Sequence, residues 1–174
     1  MTVDAAALTR AESLIATIAD FPEPGILFRD ISPLLADGPA LHTVVEALIE
    51  PFAGQFDVVA GVEARGFLLA GATAVVAGVG MVPIRKAGKL PRPAASVSYA
   101  LEYGTAAIEM AADLAPGTRV LLLDDVLATG GTLRAARQLL GELGYVVAGT
   151  AVLMELVALG GREICGDVHS LFVV

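Results

Sequence analysis

Residues 118–125 read TRVLLLDD, and the four aliphatic residues at 120–123 follow one another without a polar break. A strand with one wet face alternates apolar and polar side chains. An unbroken run needs both faces covered, as in a parallel sheet sandwiched between helices. The neighbouring patterns agree. GTLRAARQLLGELG has helical spacing and closes on Gly144, a helix C-terminal signal. FDVVAGV, MVPIR, YVVAGTAVLMEL and the short LFVV read as further strands, with RGFLLAGATAVVAG as a helix between the first two. Strands alternating with helices predict an α/β fold with a central, mostly parallel sheet flanked by helices. At 174 residues the chain forms one domain, residues 1–174.

The remaining segments are less regular. Leu8, Ala11, Ile15 and Ile18 predict a helix over residues 5–19. DFPEPGILFRDISPLLADGP holds four prolines and two glycines and reads as one long loop. Pro39 opens a helix carrying Val44, Val45, Leu48 and Ile49, and SVSYALEYGTAAIEM reads as a hairpin turning near Tyr103 and Gly104. Residues 66–84 carry no charge over a length that could span a bilayer, but Gly78, Gly80 and Pro83 divide them into a buried helix and a buried strand. The first residues lack the basic start and apolar run of a signal peptide, so a cytoplasmic location is expected. Cys165 is the only cysteine, which excludes an intrachain disulfide and reads as a small core or surface thiol. His42 reads as a helix-surface residue and His169 as local structure; two isolated histidines make no zinc site. A net charge of −8 argues against nucleic-acid and membrane partners. Against that background both lysines, Lys86 and Lys89, fall in RKAGKLPR beside Arg85 and Arg92, which suggests a local need for positive charge.

Asp124 and Asp125 stand at a strand's carboxyl end, where open α/β sheets bind ligands. The small-residue loop VLATGGT follows and leads into a helix. Unpaired N–H groups at a helix start attract an anion, glycines let the backbone approach, and Thr129 and Thr132 add hydroxyls. This is a phosphate cradle without a lysine. No GxxxxGK[ST] or GxGxxG string is present, so the usual nucleotide-binding motifs do not describe it. Carboxylates beside a phosphate need ribose hydroxyls or Mg²⁺ between them, so the pattern predicts a ribose 5-phosphate site.

LLLDDVLATGGT resembles the signature of the phosphoribosyltransferases that use 5-phosphoribosyl-1-pyrophosphate (PRPP). FPEPGILFRDISPLL, GVEARGF, VPIRKAGKLP and SYALEYG resemble the adenine phosphoribosyltransferase family in the same order, over residues 20–163. The resemblance implies a phosphoribosyltransferase-type fold with a small N-terminal hood (residues 1–37) and a mobile lid (residues 86–104). It implies the joining of adenine to the ribosyl C1, giving AMP and pyrophosphate. Asp124 and Asp125 would hold the ribose hydroxyls, and Ala128, Thr129, Gly130, Gly131 and Thr132 the 5-phosphate. Arg65, Arg85, Lys86 and Lys89 would meet pyrophosphate. Phe28 and Leu156 would enclose the base, with main-chain groups around Leu27 and Arg29 reading its edge. Glu102 would exchange a proton with the base near N7, Arg65 would share the catalytic work, and the peptide between Glu63 and Ala64 would be cis. Mg²⁺ would accompany PRPP, and a homodimer with residues 21–33 near its interface is implied. Two alternatives stay open: a phosphoribosyltransferase for xanthine or hypoxanthine, and a non-catalytic regulator that senses the ribosyl donor.

Overall fold

The computed structural model describes residues 3–100 and 104–174. A seven-stranded sheet forms its centre. In chain order its strands are β3 (Val58–Val62), β4 (Gly80–Lys86), β5 (Ala95–Ala100), β6 (Thr105–Met110), β7 (Arg119–Leu127), β8 (Val146–Glu155) and β9 (His169–Val173). Their spatial order is β5-β6-β4-β3-β7-β8-β9. Strands β4, β3, β7, β8 and β9 are mutually parallel, while β6 and β5 join antiparallel at the β4 edge. This is the predicted α/β architecture.

The apolar run of β7 has the predicted cause. Val120 and Leu122 pack with Leu139 and Leu140 of helix α5 (Gly131–Glu142) on one face. Leu121 and Leu123 pack on the other face with Leu48 of α3 (Gly38–Ile49) and Ala70 of α4 (Gly66–Ala77). Successive side chains on a strand point to opposite faces, so only a strand covered twice can be apolar throughout. Residues 66–84 divide as expected into α4 and β4, and no helix among the described residues is long and apolar enough to cross a membrane.

The N-terminal third departs from the prediction. Helix α1 covers only Ala5–Ser13, and Ala16–Ala19 form strand β1. It pairs antiparallel with β2 (Leu27–Asp30), which lies inside the segment expected to be a loop, as does the short helix α2 (Ser32–Ala36). Ile15 and Ile18 have helical spacing with Leu8 and Ala11, but Ile15, Thr17 and Ile18 are β-branched. A partner strand across the following turn outweighs that local periodicity. The turn between β1 and β2 holds a cis Phe21–Pro22 peptide, and Gly25 N–H donates to Asp20 Oδ1 at 2.7 Å.

Candidate active site

The carboxyl ends of β3, β4, β7 and β8 lie side by side, and two clefts open there. The first, about 170 Å³, is lined by Leu27, Phe28 and Arg29 of β2, by Arg65, by Asp125 and Val126 of β7, and by Met154 and Leu156 around the end of β8. All four residues predicted to surround the base are therefore together. Phe28 meets Phe21 edge-to-face with ring centroids 5.1 Å apart. The Arg65 guanidinium stands 5.2 Å from the centroid of the Phe28 ring and 2.6 Å from Asp125 Oδ2. It also donates to the Arg29 carbonyl at 3.3 Å. The Arg29 side chain turns away to Thr17. Among the described residues β2 pairs with no strand but β1, so its other edge keeps main-chain groups outside any ladder, the Arg29 carbonyl being met by Arg65.

The second cleft, about 130 Å³, is lined by Asp124, Val126, Leu127, Ala128, Thr129, Gly130, Thr132 and Leu133. Gly130 has φ 81°, a left-handed conformation that suits glycine, and α5 starts immediately after it. The unpaired N–H groups of the helix start thus edge a small polar recess, as the sequence predicted.

Strand geometry assigns the two aspartates different places. Both are buried, and β7 runs beyond them to Leu127 instead of ending at them. Adjacent on the strand, they face opposite ways, Asp124 into the glycine-lined cleft and Asp125 into the aromatic one, with Val126 lining both. Burial pushes the Asp124 carboxyl well above the usual carboxylate range, and the neighbouring Asp125 charge adds to this. Asp124 Oδ1 accepts the Asp125 N–H at 2.8 Å.

The basic segment is arranged around an acid. Arg85 and Lys86 end β4, and Lys89 follows in the turn. Glu63 Oε1 lies 2.6 Å from Lys89 Nζ, while Glu63 Oε2 lies 3.2 Å from Arg85 Nε and accepts the Lys86 N–H at 2.9 Å. These partners, Lys89 foremost, hold the Glu63 carboxyl at about 2. Glu109 of β6 accepts the N–H groups of Lys89 and Leu90 at 2.9 and 2.7 Å. The Glu63–Ala64 peptide is cis, as the resemblance implied.

Sequence reasoning missed several participants. Glu63 and Glu109 carry no local signal, because their partners lie more than twenty residues away or across a strand. Met154 and Val126 look like ordinary strand residues until β7 and β8 are placed side by side. Gly161, at the start of the short helix α6 (Gly161–Cys165), sits against the phosphate loop so tightly that a Cβ there would collide with the Ala128 carbonyl, and one on Gly130 with the Gly161 carbonyl. In the predicted lid, β5 is a full strand of the sheet and Val97 belongs to the core. Tyr99 on β5 meets the phosphate loop, its hydroxyl 3.3 Å from Thr132 Oγ1. Glu102 lies outside the described residues. Cys165 is buried, which pushes its thiol up, as suits a packed rather than a reactive cysteine.

A glycine-lined recess at a helix start, beside buried aspartates and an aromatic cleft at the end of a parallel sheet, defines a class that binds a phosphorylated sugar and a ring. The profile of the phosphoribosyl transferase domain matches residues 35–164, and the chain belongs to that family. Its relatives carry a narrower name. The adenine phosphoribosyltransferase of Renibacterium salmoninarum is 61% identical over 153 residues, covering 87% of this chain and 84% of that protein. The crystal structure of the adenine phosphoribosyltransferase from Rhodothermus marinus superposes with a TM-score of 0.92 at 46% identity, over 98% of this chain and all of that one. The Saccharomyces cerevisiae enzyme, solved with adenine and an imino-altritol bisphosphate, gives a TM-score of 0.90 at 34% identity over 97% of this chain and 99% of that one.

Proposed function

We propose that this chain transfers the 5-phosphoribosyl group of PRPP to adenine, releasing AMP and pyrophosphate, and so serves purine salvage. The observation that carries this reading is the pair of clefts meeting at Val126, one aromatic and one glycine-lined, each with its own aspartate. A nucleotide spanning them would place its base against Phe28 and Leu156 and its ribose at the aspartates. Its 5-phosphate would sit among Ala128, Thr129, Gly130, Gly131 and Thr132. The ribose hydroxyls would donate to Asp124 and Asp125, giving buried carboxyls the partners that water no longer supplies. Main-chain groups of Leu27 and Arg29 would read the edge of adenine. A site matched to its amine and bare N1 leaves buried groups unpaired with hypoxanthine, which can discriminate by about 10⁴-fold.

In the reaction the base nitrogen bonds to C1 as the bond from C1 to pyrophosphate oxygen breaks. The sugar passes through an oxocarbenium-like state that water would also attack. A lid over residues 86–104 would exclude water. Because β5 is anchored in the sheet, the moving part would include the turn before it, where Gly88 holds positive φ. Glu102 would take the proton lost by adenine and return it in the reverse direction. Arg65, Arg85, Lys86 and Lys89 would meet the departing pyrophosphate, with Arg65 leaving Asp125 to do so. Mg²⁺ would enter with PRPP. Asp124 and Asp125 are hard oxygen donors, and with Arg65 turned to pyrophosphate they would reach, through water, an ion held mainly by substrate oxygens. We also propose a cytoplasmic location and a homodimer; exposed Phe21 and Ile26 within residues 21–33 and the apolar outer surface of α4 support the dimer.

The test is turnover with PRPP and Mg²⁺, offering adenine, hypoxanthine, guanine, xanthine and orotate in turn. AMP formation with little product from the others is the expected result. Preference for an oxopurine would move the chain to another branch of the family. Binding of PRPP without turnover of any base would make it a sensor.

A further inference from the structure

At the ends of β3, β4 and β7 the cations meet acids in two ways: Arg65 pairs with Asp125, but Arg85 and Lys89 share the carboxylate of Glu63. That carboxylate is buried, with its side chain 8% exposed, whereas Lys89 is half in water. The acid is also the fixed partner. Its own N–H donates to the Ile84 carbonyl at 3.0 Å, and its Oε2 accepts the Lys86 N–H at 2.9 Å. If the two cations turned toward an arriving anion, Glu63 would stay where it is, one residue before the cis peptide's far side and two before Arg65.

We infer that Glu63 is a built-in competitor for pyrophosphate, a positioning residue that holds Arg85 and Lys89 between turnovers and takes them back as pyrophosphate leaves. The inference rests on the reading that Arg85 and Lys89 meet pyrophosphate. The carboxylate is charged at any pH where the enzyme would work, since its partners keep it at about 2. Pyrophosphate must therefore displace one anion from two cations, and the displaced anion remains close by and repels it. Both effects weaken retention of the product. Glu109 differs: it accepts main-chain N–H groups of Lys89 and Leu90 and shapes the turn without competing for the Lys89 ammonium. The two acids should consequently act in opposite senses.

The test is calorimetric titration of the full chain with inorganic pyrophosphate and Mg²⁺, for wild type, Glu63→Gln and Glu109→Gln. Glu63→Gln should bind pyrophosphate roughly fivefold tighter, the scale of a half-exposed ion pair converted to an affinity. Glu109→Gln should bind it more weakly. A merely structural role for Glu63 predicts weaker binding in both variants, and that result would overturn the inference, as would an unchanged affinity in Glu63→Gln. Wild type that binds no pyrophosphate would instead sink the underlying functional reading. If Glu63→Gln does not fold, Lys89→Met and Glu63→Asp supply the comparison. Shortening the acid moves it from Lys89, so Glu63→Asp should tighten binding, and it should do so less in the Lys89→Met background. Equal effects in both backgrounds would show that Glu63 does not act through Lys89.

Discussion

At the scale of single residues, the phosphate loop is shaped as much by what is missing as by what is present. Gly161 and Gly130 leave no room for a side chain between α6 and the loop. Gly161→Ala would push the Ala128 carbonyl away, and overpacking of this kind costs about 1–3 kcal/mol. Its larger effect falls on geometry. A shift of about 1 Å in a positioning group can cost about 10²-fold in rate, so kcat/KM for PRPP should fall on that order. KM for adenine should change little, because Leu156 and Phe28 lie on the other cleft. Steady-state kinetics with each substrate varied in turn checks this, and an equal rise in KM for both substrates would mean that the whole sheet end had moved.

Among elements, α6 is the least self-sufficient, a five-residue helix held by Arg162. The guanidinium pairs with both carboxylate oxygens of Glu155 and donates to the Val168 carbonyl at 2.7 Å and to Ser170 Oγ at 3.1 Å. It thereby joins α6, β8 and β9 behind the base wall. Arg162→Ala would leave Glu155 buried with Ser170 as its remaining partner. Breaking a fully buried pair costs roughly 3–5 kcal/mol, but Arg162 is almost half exposed, so about 2 kcal/mol is expected. The pH dependence has a definite sign. Arg162 first, then Ser170, depress the Glu155 carboxyl below its ordinary value of 4.5. The stabilisation is therefore complete above that value and is lost as pH falls through the depressed one. Urea denaturation should show a gap between wild type and Arg162→Ala that is widest at neutral pH and narrows in acid.

For the molecule as a whole, the surface of α4 is the outstanding feature. The helix carries no charged residue, buries Leu69, Ala70 and Ala74, and leaves Leu68, Val75 and Val76 exposed, Val75 by 83%. A recess between α3 and α4 is lined by Leu41, Val45, Gly71 and Val75. Contiguous apolar surface of this kind marks an association site, and a second copy of the chain is the occupant expected for a homodimer. Val75→Asp places a charge at its centre. Sedimentation should show a dimer for wild type and a shift toward monomer for the variant, with secondary structure unchanged. A wild-type monomer at micromolar concentration would remove the dimer from the proposal.

The sequence alone determined the central sheet, its covering helices and the glycine-lined loop at the start of α5. These are local properties: a run apolar on both faces, helical spacing, and glycines where the backbone must turn or be approached. Resemblance extended that reading to Phe28 and Leu156, which the structure brings into one cleft, and to the cis peptide after Glu63. Tertiary structure decided the rest. It made Ala16–Ala19 a strand through a partner that periodicity could not see. It sent Asp124 and Asp125 into separate clefts, because adjacent residues on a strand must face apart. It tied Arg85 and Lys89 to Glu63, and Gly161 to the phosphate loop. Such links depend on distance in space between segments far apart in the chain, and a one-dimensional pattern carries no measure of that distance.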